Sequence, residues 1–204
     1  MTDQKLTMAQ RREQGLLWMD QGENLDQQIK ARSLCMDFNH TRPDEAEKRI
    51  GLLHQIFGSC GENVWIEPPL TVAAGKTVSI GSGTYINSNL TLVDDLKITI
   101  GADVLIGPNV TISNTNHPLH YQLRSQGQMY SKEVVIEDHV WISSNVVISA
   151  GVHIGAGSVI GAGSVVTRDI PAMTLAYGVP CRAIRRITDE DLHQFEPVSL
   201  DEKM

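Results

Sequence analysis

The feature that most constrains this chain is an aliphatic residue at every sixth position between residues 136 and 167. The run reads IEDHVW, ISSNVV, ISAGVH, IGAGSV, IGAGSV, VT, with small or polar residues between the aliphatic ones. A period of six fits neither an α-helix, with about 3.6 residues per turn, nor a strand with two alternating faces. It fits a chain that bends every six residues around a triangular prism and stacks its aliphatic side chains inside. The stacked positions are Ile136, Ile142, Ile148, Ile154, Ile160 and Val166, and Gly155, Gly157, Gly161 and Gly163 are expected to supply backbone freedom at the bends.

The same period runs upstream, and the two blocks of repeats flank an interruption. The upstream positions are Ile80, Ile86 and Leu92, followed after a slip of two residues by Ile100, Ile106 and Ile112. Between Ser113 and Glu133 the period fails and the sequence is polar. Long loops without structure of their own are uncommon in compact domains unless they carry function. We therefore predict a mainly β fold, a left-handed parallel β-helix over residues 61–187 that expels a functional loop at residues 113–133.

The sequence of residues 1–60 predicts helices, which we expect to cap the open first coil and hide its strand edges. The predicted features are a Thr7/Gln10 capping box, a helix through Leu16, Leu17 and Met19 that stops near Gly22, a second helix from Leu25 to about Phe38, and a third with an apolar face of Ile50, Leu53 and Phe57 that ends at Gly58. Residues 188–204 form an acidic tail, for which a short helix and a frayed end are expected.

Charge, hydropathy and cysteine content exclude several classes of protein. The formal net charge of −7 argues against nucleic acid as the main partner, because phosphate binding needs concentrated Lys and Arg. No apolar stretch approaches the roughly 20 residues that span a membrane, and the N-terminus lacks the apolar region of a signal peptide. We therefore expect a cytoplasmic protein without a membrane partner. Cys35, Cys60 and Cys181 are widely spaced, and we expect them to stay reduced.

Several separate segments together resemble the maltose and galactoside O-acetyltransferases. They are FNHTRPDEAEKR, GENVWIEPPL, YINSNLTLVDD, TNHP, IGAGSVIGAGSVVTRDIP and GVPCRAIR, and the resemblance covers about residues 7–188. The repeats alone are weakly specific, since sugar-nucleotide, serine and antibiotic acyltransferases also use them. The FNH, EPP and VDD segments look closer to the galactoside branch. The resemblance implies a homotrimer that transfers acetyl from acetyl-CoA to a sugar hydroxyl, with neither a metal nor an acyl-enzyme.

A sugar hydroxyl needs a general base when it attacks a thioester, and an imidazole with a pKa of about 6.5 suits that task. His117, in TNHP, matches the catalytic His of the family. His120, three residues later, suggests a metal pair, but a third ligand at a matching spacing is missing. His139 and His153 fall on repeat positions that are expected to face outward.

The resemblance also implies a set of acceptor-binding residues. The matching positions are Asp20, Tyr85, Asn87, Asp95 and Met129. Carboxylates accept paired hydrogen bonds from vicinal hydroxyls, which favours Asp20 and Asp95, although Asp20 also fits a helix surface and Asp95 a turn. Ala73 stands where galactoside enzymes resemble one another in having Ser, so the preference for galactosides is open.

For acetyl-CoA, the family's trimer supplies a long groove between two packed solenoids. The matching positions are Ser144, Ala162, Thr167, Arg182 and Arg185. The guanidinium groups suit phosphate, whereas Ala162 and Thr167 also fit as ordinary repeat residues. Ser143 departs from the Gly that relatives usually have before the Ser. A backbone N–H or Ser144 is expected to hold the oxyanion.

Two other functions fit the repeats. One is acetyl transfer to a different acceptor, such as an amino sugar, a lipo-oligosaccharide or an amino acid, which the loop and Asp20 would distinguish. The other is a scaffold of degenerate repeats without activity, against which His117, Asn87 and the arginine pair argue together. The sequence leaves open the physiological sugar, the hydroxyl that is modified and the biological role.

Overall fold

The computed structural model describes residues 6–196 and 198, most of which wind into a solenoid with three flat faces. Face A holds the parallel strands β1 (Ser59–Cys60), β4 (Val78–Ile80), β7 (Ile98–Ile100), β12 (Val134–Ile136) and β15 (His153–Ile154). Face B holds the parallel strands β2 (Trp65–Ile66), β5 (Tyr85–Ile86), β8 (Leu105–Ile106), β13 (Trp141–Ile142), β16 (Val159–Ile160) and β18 (Thr174–Tyr177), and the antiparallel β19 (Arg182–Arg186). Face C holds the parallel strands β3 (Leu70–Val72), β6 (Leu90–Val93), β9 (Thr111–Ser113), β14 (Val147–Ile148) and β17 (Val165–Val166). The chain visits A, B and C in turn, so the predicted parallel β-solenoid is confirmed.

The aliphatic repeat positions form the core of the solenoid, as predicted. All twelve are buried, and parallel pairing places equivalent residues one above another, as in Ile86, Ile106, Ile142 and Ile160. Burying one such side chain stabilises the fold by about 1.5–3 kcal/mol before the entropy cost is counted. A substitution at any of these positions therefore affects the coils above and below as well.

The glycines at the bends serve two different purposes. Gly157 and Gly163 have φ values of 66° and 71°, which favour glycine, as predicted. Gly155 and Gly161 do not have positive φ, so the prediction of backbone freedom is wrong for them. A Cβ on Gly155 would lie 2.4 Å from the Ala172 backbone nitrogen, and one on Gly161 would lie 2.8 Å from the Tyr177 Cβ. At these two positions glycine is needed because the next coil passes too close for a side chain.

The turns that lead from face C back to face A, which we call the CA edge, differ in length. Inward residues are six positions apart between Ile148 and Ile154, but eight apart between Leu92 and Ile100. The loop at residues 113–133 leaves the solenoid at this same edge, between β9 and β12. The two-residue slip and the expelled loop are therefore neighbours in space, on consecutive coils.

Three helices precede the solenoid: α1 (Met8–Glu13), α2 (Glu23–Asn39) and α3 (Ala46–Ile56). The predicted capping box is present in both directions, between Thr7 and Gln10. The predicted extension of α1 to Gly22 is wrong: the helix ends at Glu13, shortly before Gly15, which has a φ of 68°. In α3, Leu53 is buried as predicted and Phe57, just past the helix, is also buried, but Ile50 is 44% exposed.

Helix α2 covers the edge of the first coil, as predicted. The Asn39 side chain donates to the Leu70 carbonyl at 2.9 Å and accepts from the Leu70 N–H at 2.7 Å, which satisfies the backbone of β3. The Gln27 amide donates to the Ala74 carbonyl at 2.9 Å. These bonds attach the helical segment to the coil that begins the solenoid.

The expelled loop contains two short strands and a helical turn: β10 (Thr115–Asn116) pairs with β11 (Tyr130–Ser131), and α4 (Tyr121–Arg124) lies between them. After β19, a 3-10 helix spans Asp189–His193, which confirms the short helix expected in the tail. The frayed end expected after it lies largely outside the described residues. Cys35, Cys60 and Cys181 form no disulfide. In the described part of the chain, no helix is long and apolar enough to cross a membrane.

Candidate functional site

Two predicted acceptor-binding carboxylates, Asp20 and Asp95, share one hydrogen-bond donor at the CA edge. The buried Gln28 amide of α2 donates to Asp20 Oδ1 at 3.3 Å and to Asp95 Oδ1 at 3.3 Å. Asn24, one turn earlier in α2, also donates to Asp20. Neither amide was predicted as a site residue. Gln28 meets Asp95, 67 residues away, only in the folded chain.

The surroundings of Asp95 make it an unusual carboxylate. Burial raises the pKa of Asp95, and the nearby Asp20 carboxylate also raises it. The Thr115 hydroxyl, Arg12 and the Gln28 amide lower it. Asp95 is 5% exposed, so a hydroxyl-bearing ligand that reaches it would meet an acceptor with little competing water.

The adjacent residue, Asp94, has a structural role. Its carboxylate is fully buried and accepts backbone N–H bonds from Ala73 at 2.8 Å, Ala74 at 3.1 Å and Gly75 at 2.6 Å. The Thr77 hydroxyl donates to it at 2.7 Å. Burial raises the pKa of Asp94 to about 6, against the opposing effect of these four hydrogen bonds. Asp94 thus orders the turn on the preceding coil and leaves Asp95 beside Gln28.

His117 lies just after β10, at the start of the loop, and is exposed. Its Nδ1 is 3.0 Å from the carbonyl oxygen of Gln128, on the returning arm of the loop. A carbonyl only accepts hydrogen bonds, so in the neutral imidazole Nδ1 carries the proton and Nε2 keeps its lone pair. This tautomer is the one in which an imidazole can take a proton from a ligand.

A clamp between the N-terminal segment and the loop holds the returning arm in place. Trp18 and Met129 exchange backbone hydrogen bonds at 2.9 and 2.8 Å. The Trp18 indole N–H donates to the buried Ser131 hydroxyl at 3.1 Å, and the Ser131 and Thr115 hydroxyls lie 2.8 Å apart. The predicted residue Met129 therefore lies beside Gln128, which contacts His117. Sequence patterns gave no signal for Ser131 or Thr115.

The remaining predicted residues lie elsewhere on the solenoid. Tyr85 projects from face B and is 38% exposed. Asn87, Ser144 and Ala162 lie in turns between faces B and C, the BC edge. The turns of Ser144 and Ala162 are adjacent, and the Ser144 carbonyl accepts from the Gly163 N–H at 3.0 Å, whereas the turn of Asn87 lies two coils before that of Ser144. The structure thus brings Asp20, Asp95, Met129 and His117 together at the CA edge of one chain, but it places Tyr85 and Asn87 away from them.

The other predicted coenzyme-binding residues occupy the end of the solenoid. Thr167 is an exposed residue just after β17, and Arg182 and Arg185 lie on the exposed strand β19. Arg185 is bound by both oxygens of Asp191, at 2.6 and 2.8 Å, and this pairing raises the pKa of the guanidinium group and lowers that of Asp191 to about 2. Across residues 6–196 and 198, no three His, Cys, Asp or Glu side chains come together as a metal-binding group.

Comparison with known protein families gives two matches. Residues 2–61 match the maltose acetyltransferase hexapeptide capping motif, and residues 133–168 match the bacterial transferase hexapeptide of six repeats. The chain is 49% identical over 191 residues to the galactoside O-acetyltransferase of Escherichia coli (strain K12). The alignment covers 93% of this chain and 94% of that protein.

Solved structures give the same result. A galactoside acetyltransferase in complex with coenzyme A matches with a TM-score of 0.91 and 47% identity, over 95% of this chain and 97% of that chain. A hexapeptide-repeat-containing acetyltransferase from Vibrio cholerae O1 biovar eltor, in complex with acetyl-coenzyme A, matches with a TM-score of 0.83 and 38% identity, over 90% of this chain and 100% of that chain.

Proposed function

Because the chain belongs to the galactoside and maltose O-acetyltransferase family of hexapeptide-repeat proteins, we propose that it transfers acetyl from acetyl-CoA to a hydroxyl of a galactoside or related sugar. The observation that carries this proposal is the His117 imidazole, whose Nδ1 is tied to the Gln128 carbonyl while Nε2 remains free to accept a proton. Because acetyl-CoA is made and used inside cells, the reaction belongs in the cytoplasm.

The proposed mechanism is a direct attack within a ternary complex. His117 Nε2 takes the hydroxyl proton as the sugar oxygen bonds to the thioester carbonyl carbon. The carbonyl oxygen becomes an oxyanion, which a backbone N–H or the Ser144 hydroxyl stabilises. Collapse of this intermediate breaks the carbon–sulfur bond, and the departing CoA thiolate takes the proton from His117. The Gln128 carbonyl stabilises the imidazolium that exists between these steps, because it accepts a hydrogen bond from Nδ1–H throughout.

Asp95 and Asp20 are the proposed anchors for vicinal sugar hydroxyls. Gln28 holds one oxygen of each carboxylate, which leaves the other oxygen of each available to a hydroxyl donor. Met129 would pack against the ring, and Tyr85 and Asn87 would complete the pocket. The galactoside preference rests on the 49% identity to a galactoside enzyme, although Ala73 cannot offer the hydroxyl expected there.

The separation of the two edges supports a homotrimer. Tyr85 and Asn87 cannot reach the CA edge of their own chain, but they could face the CA edge of a neighbour. Tyr85, Leu105 and Trp141 are adjacent on face B and are 38%, 49% and 49% exposed, an apolar surface suited to subunit contact. The groove between two subunits would hold acetyl-CoA, with Ser144, Ala162 and Thr167 along it and Arg182 and Arg185 at its phosphates.

The test is the release of free CoA thiol from acetyl-CoA in the presence of galactosides, glucosides, maltose, amino sugars or serine. Replacement His117→Ala should lower turnover by roughly 10²–10⁴ and leave acetyl-CoA binding near normal, since only proton transfer is lost. His120→Ala is the matched control, because His120 is an exposed imidazole of the same loop, stacked on Tyr121.

A full rate in the His117 variant would show that the base is another group. Turnover on serine or an amine, with none on sugars, would preserve the donor and the fold and replace the acceptor. Equal losses in the His117 and His120 variants would mean that the loop conformation, and not the imidazole, had been disturbed.

A further inference from the structure

Two adjoining clefts of about 420 and 560 Å³ lie between the N-terminal segment and the solenoid, and both are lined by Arg12, Lys76 and Thr77. The larger cleft, here the carboxylate cleft, also includes Asp95, Glu13 and Glu133. The smaller cleft, here the cationic cleft, is lined by Arg12 and Lys76, amide side chains and apolar groups, and none of its described lining residues is a carboxylate. A cleft of this composition is unexpected in a chain of net charge −7.

Arg12 is held in position but lacks an anionic partner. Its guanidinium carbon lies 5.1 Å from the centroid of the Trp18 ring, and its Nη1 donates to Asn24 Oδ1 at 2.6 Å. Among the side chains that the structure describes, which exclude that of Glu23, no carboxylate oxygen lies within 4.0 Å of this guanidinium group, whereas Arg49 and Arg185 each have one. Its Nε is buried and has no hydrogen-bond partner among the described residues.

Arg12 also lies next to the proposed acceptor anchors. Its charge lowers the pKa of Asp95, and Asn24, which accepts from Arg12, donates to Asp20. A sugar whose hydroxyls bind Asp95 in the carboxylate cleft would therefore direct another substituent past Arg12 into the cationic cleft. Guanidinium groups bind carboxylate and phosphate through paired hydrogen bonds. Stacking on an aromatic ring fixes the orientation of the planar guanidinium group.

We propose that the cationic cleft binds an anionic substituent of the acceptor, a carboxylate or a phosphate ester on the sugar, through Arg12. Lys76 adds positive charge, although its ammonium group donates to the Phe57 carbonyl at 2.8 Å and is less free to move. This inference rests on the proposed sugar acetylation and specifies its substrate class.

The test compares kcat/KM for methyl β-galactoside, galacturonate and galactose 6-phosphate in the intact protein. The wild type should favour one or both anionic acceptors by roughly tenfold or more. Arg12→Gln should remove this preference, so its loss of kcat/KM should be roughly tenfold larger for the anionic acceptors than for the neutral galactoside. Arg12→Lys should keep part of the preference, because the positive charge remains but the paired hydrogen bonds of the guanidinium group are lost. Galacturonate and galactose 6-phosphate distinguish a carboxylate site from a phosphate site.

Arg11→Gln is the matched control, since Arg11 is on the same helix, donates to the Leu17 carbonyl at 2.5 Å and lines neither cleft. It should leave the ratio of anionic to neutral acceptors unchanged. No preference in the wild type would overturn the inference. So would an equal loss for all acceptors in both Arg12 variants, which would make Arg12 a support for Trp18 and Asp20.

Binding of inorganic phosphate, measured by calorimetry on wild type and Arg12→Gln, separates this inference from the proposed function. Phosphate that binds the wild type and not the variant supports the anion site even when every sugar is inactive, in which case the proposed sugar acetylation fails. Activity on neutral galactosides with no Arg12-dependent phosphate binding and no anionic preference keeps the function and overturns the anion site.

Discussion

Gln28 shows how one side chain sets the chemistry of the candidate site. Its amide nitrogen is shared by Asp20 and Asp95, and its amide oxygen accepts from Arg32 at 3.3 Å. Two carboxylates in so small a space would repel each other without a shared donor and a nearby cation, which here is Arg12. The site thus keeps two strong acceptors close together at a modest electrostatic cost.

Asp94 provides a prediction about pH. Its pKa is raised from 3.8 in the unfolded chain to about 6 in the folded one, so the folded state binds more protons between these values. The free energy of unfolding should therefore fall as the pH rises through this interval, by about 1.4 kcal/mol for each unit between the two pKa values. Asp94→Asn cannot titrate and should lack this component.

The measurement is urea unfolding of both proteins from pH 4 to pH 7, taken as the difference between them so that other groups cancel. The prediction would be contradicted if the free energy of unfolding of the wild type, minus that of Asp94→Asn, increased with pH. It would mean that the four hydrogen bonds received by the carboxylate outweigh its burial.

At the scale of the elements, the sequence predicted features that are set by repeated or neighbouring residues, and it missed a contact between distant segments. The inward position recurs along the chain, so Ile136 and its equivalents were found from spacing alone. Helix α1 was expected to run to Gly22, because its apolar residues follow a helical pattern. In the folded chain Trp18 instead pairs with Met129, more than 100 residues away, and a single sequence carries no signal for such a pairing.

The clamp on the expelled loop leads to a second prediction. Ser131→Ala removes the acceptor of the Trp18 indole N–H and the partner of the Thr115 hydroxyl, both in buried surroundings. The loss should lower the free energy of unfolding by about 1–3 kcal/mol. Because β11 anchors the arm that contacts His117, hydrogen exchange in residues 115–131 should increase and turnover should fall.

Ser125→Ala provides the comparison, since Ser125 is an exposed hydroxyl of the same loop that donates only to the Gln122 carbonyl, at 3.2 Å. It should change neither stability nor exchange. If both serine variants behaved alike, the Trp18–Ser131 bond would have no part in ordering the loop.

At the scale of the whole molecule, the solenoid distributes the candidate site over two edges. His117 and Asp95 lie at the CA edge, whereas Asn87 lies at the BC edge, separated from them by face C. The family resemblance supplied all three residues from the sequence. It did not indicate that one chain keeps them apart, since this follows from the order of the faces. In the proposed trimer, each site takes His117 and Asp95 from one subunit and Asn87 from the next.

This arrangement predicts complementation between inactive variants. His117→Ala and Asn87→Ala should each be nearly inactive alone, but mixed trimers contain sites at which an intact His117 meets an intact Asn87 from the neighbour. Every mixed trimer has one such site among its three, so about a third of the sites should be restored once the homotrimers are removed. Co-expression with two affinity tags, followed by purification of mixed trimers and measurement of CoA release, would detect this recovery.

The decisive comparison mixes His117→Ala with Asp95→Ala in the same way. These two residues share the CA edge of one chain, so every site in the mixture lacks one of them and no activity should return. Equal recovery in both mixtures would place His117 and Asp95 in different subunits, and recovery in neither would show that Asn87 serves the site of its own chain or none.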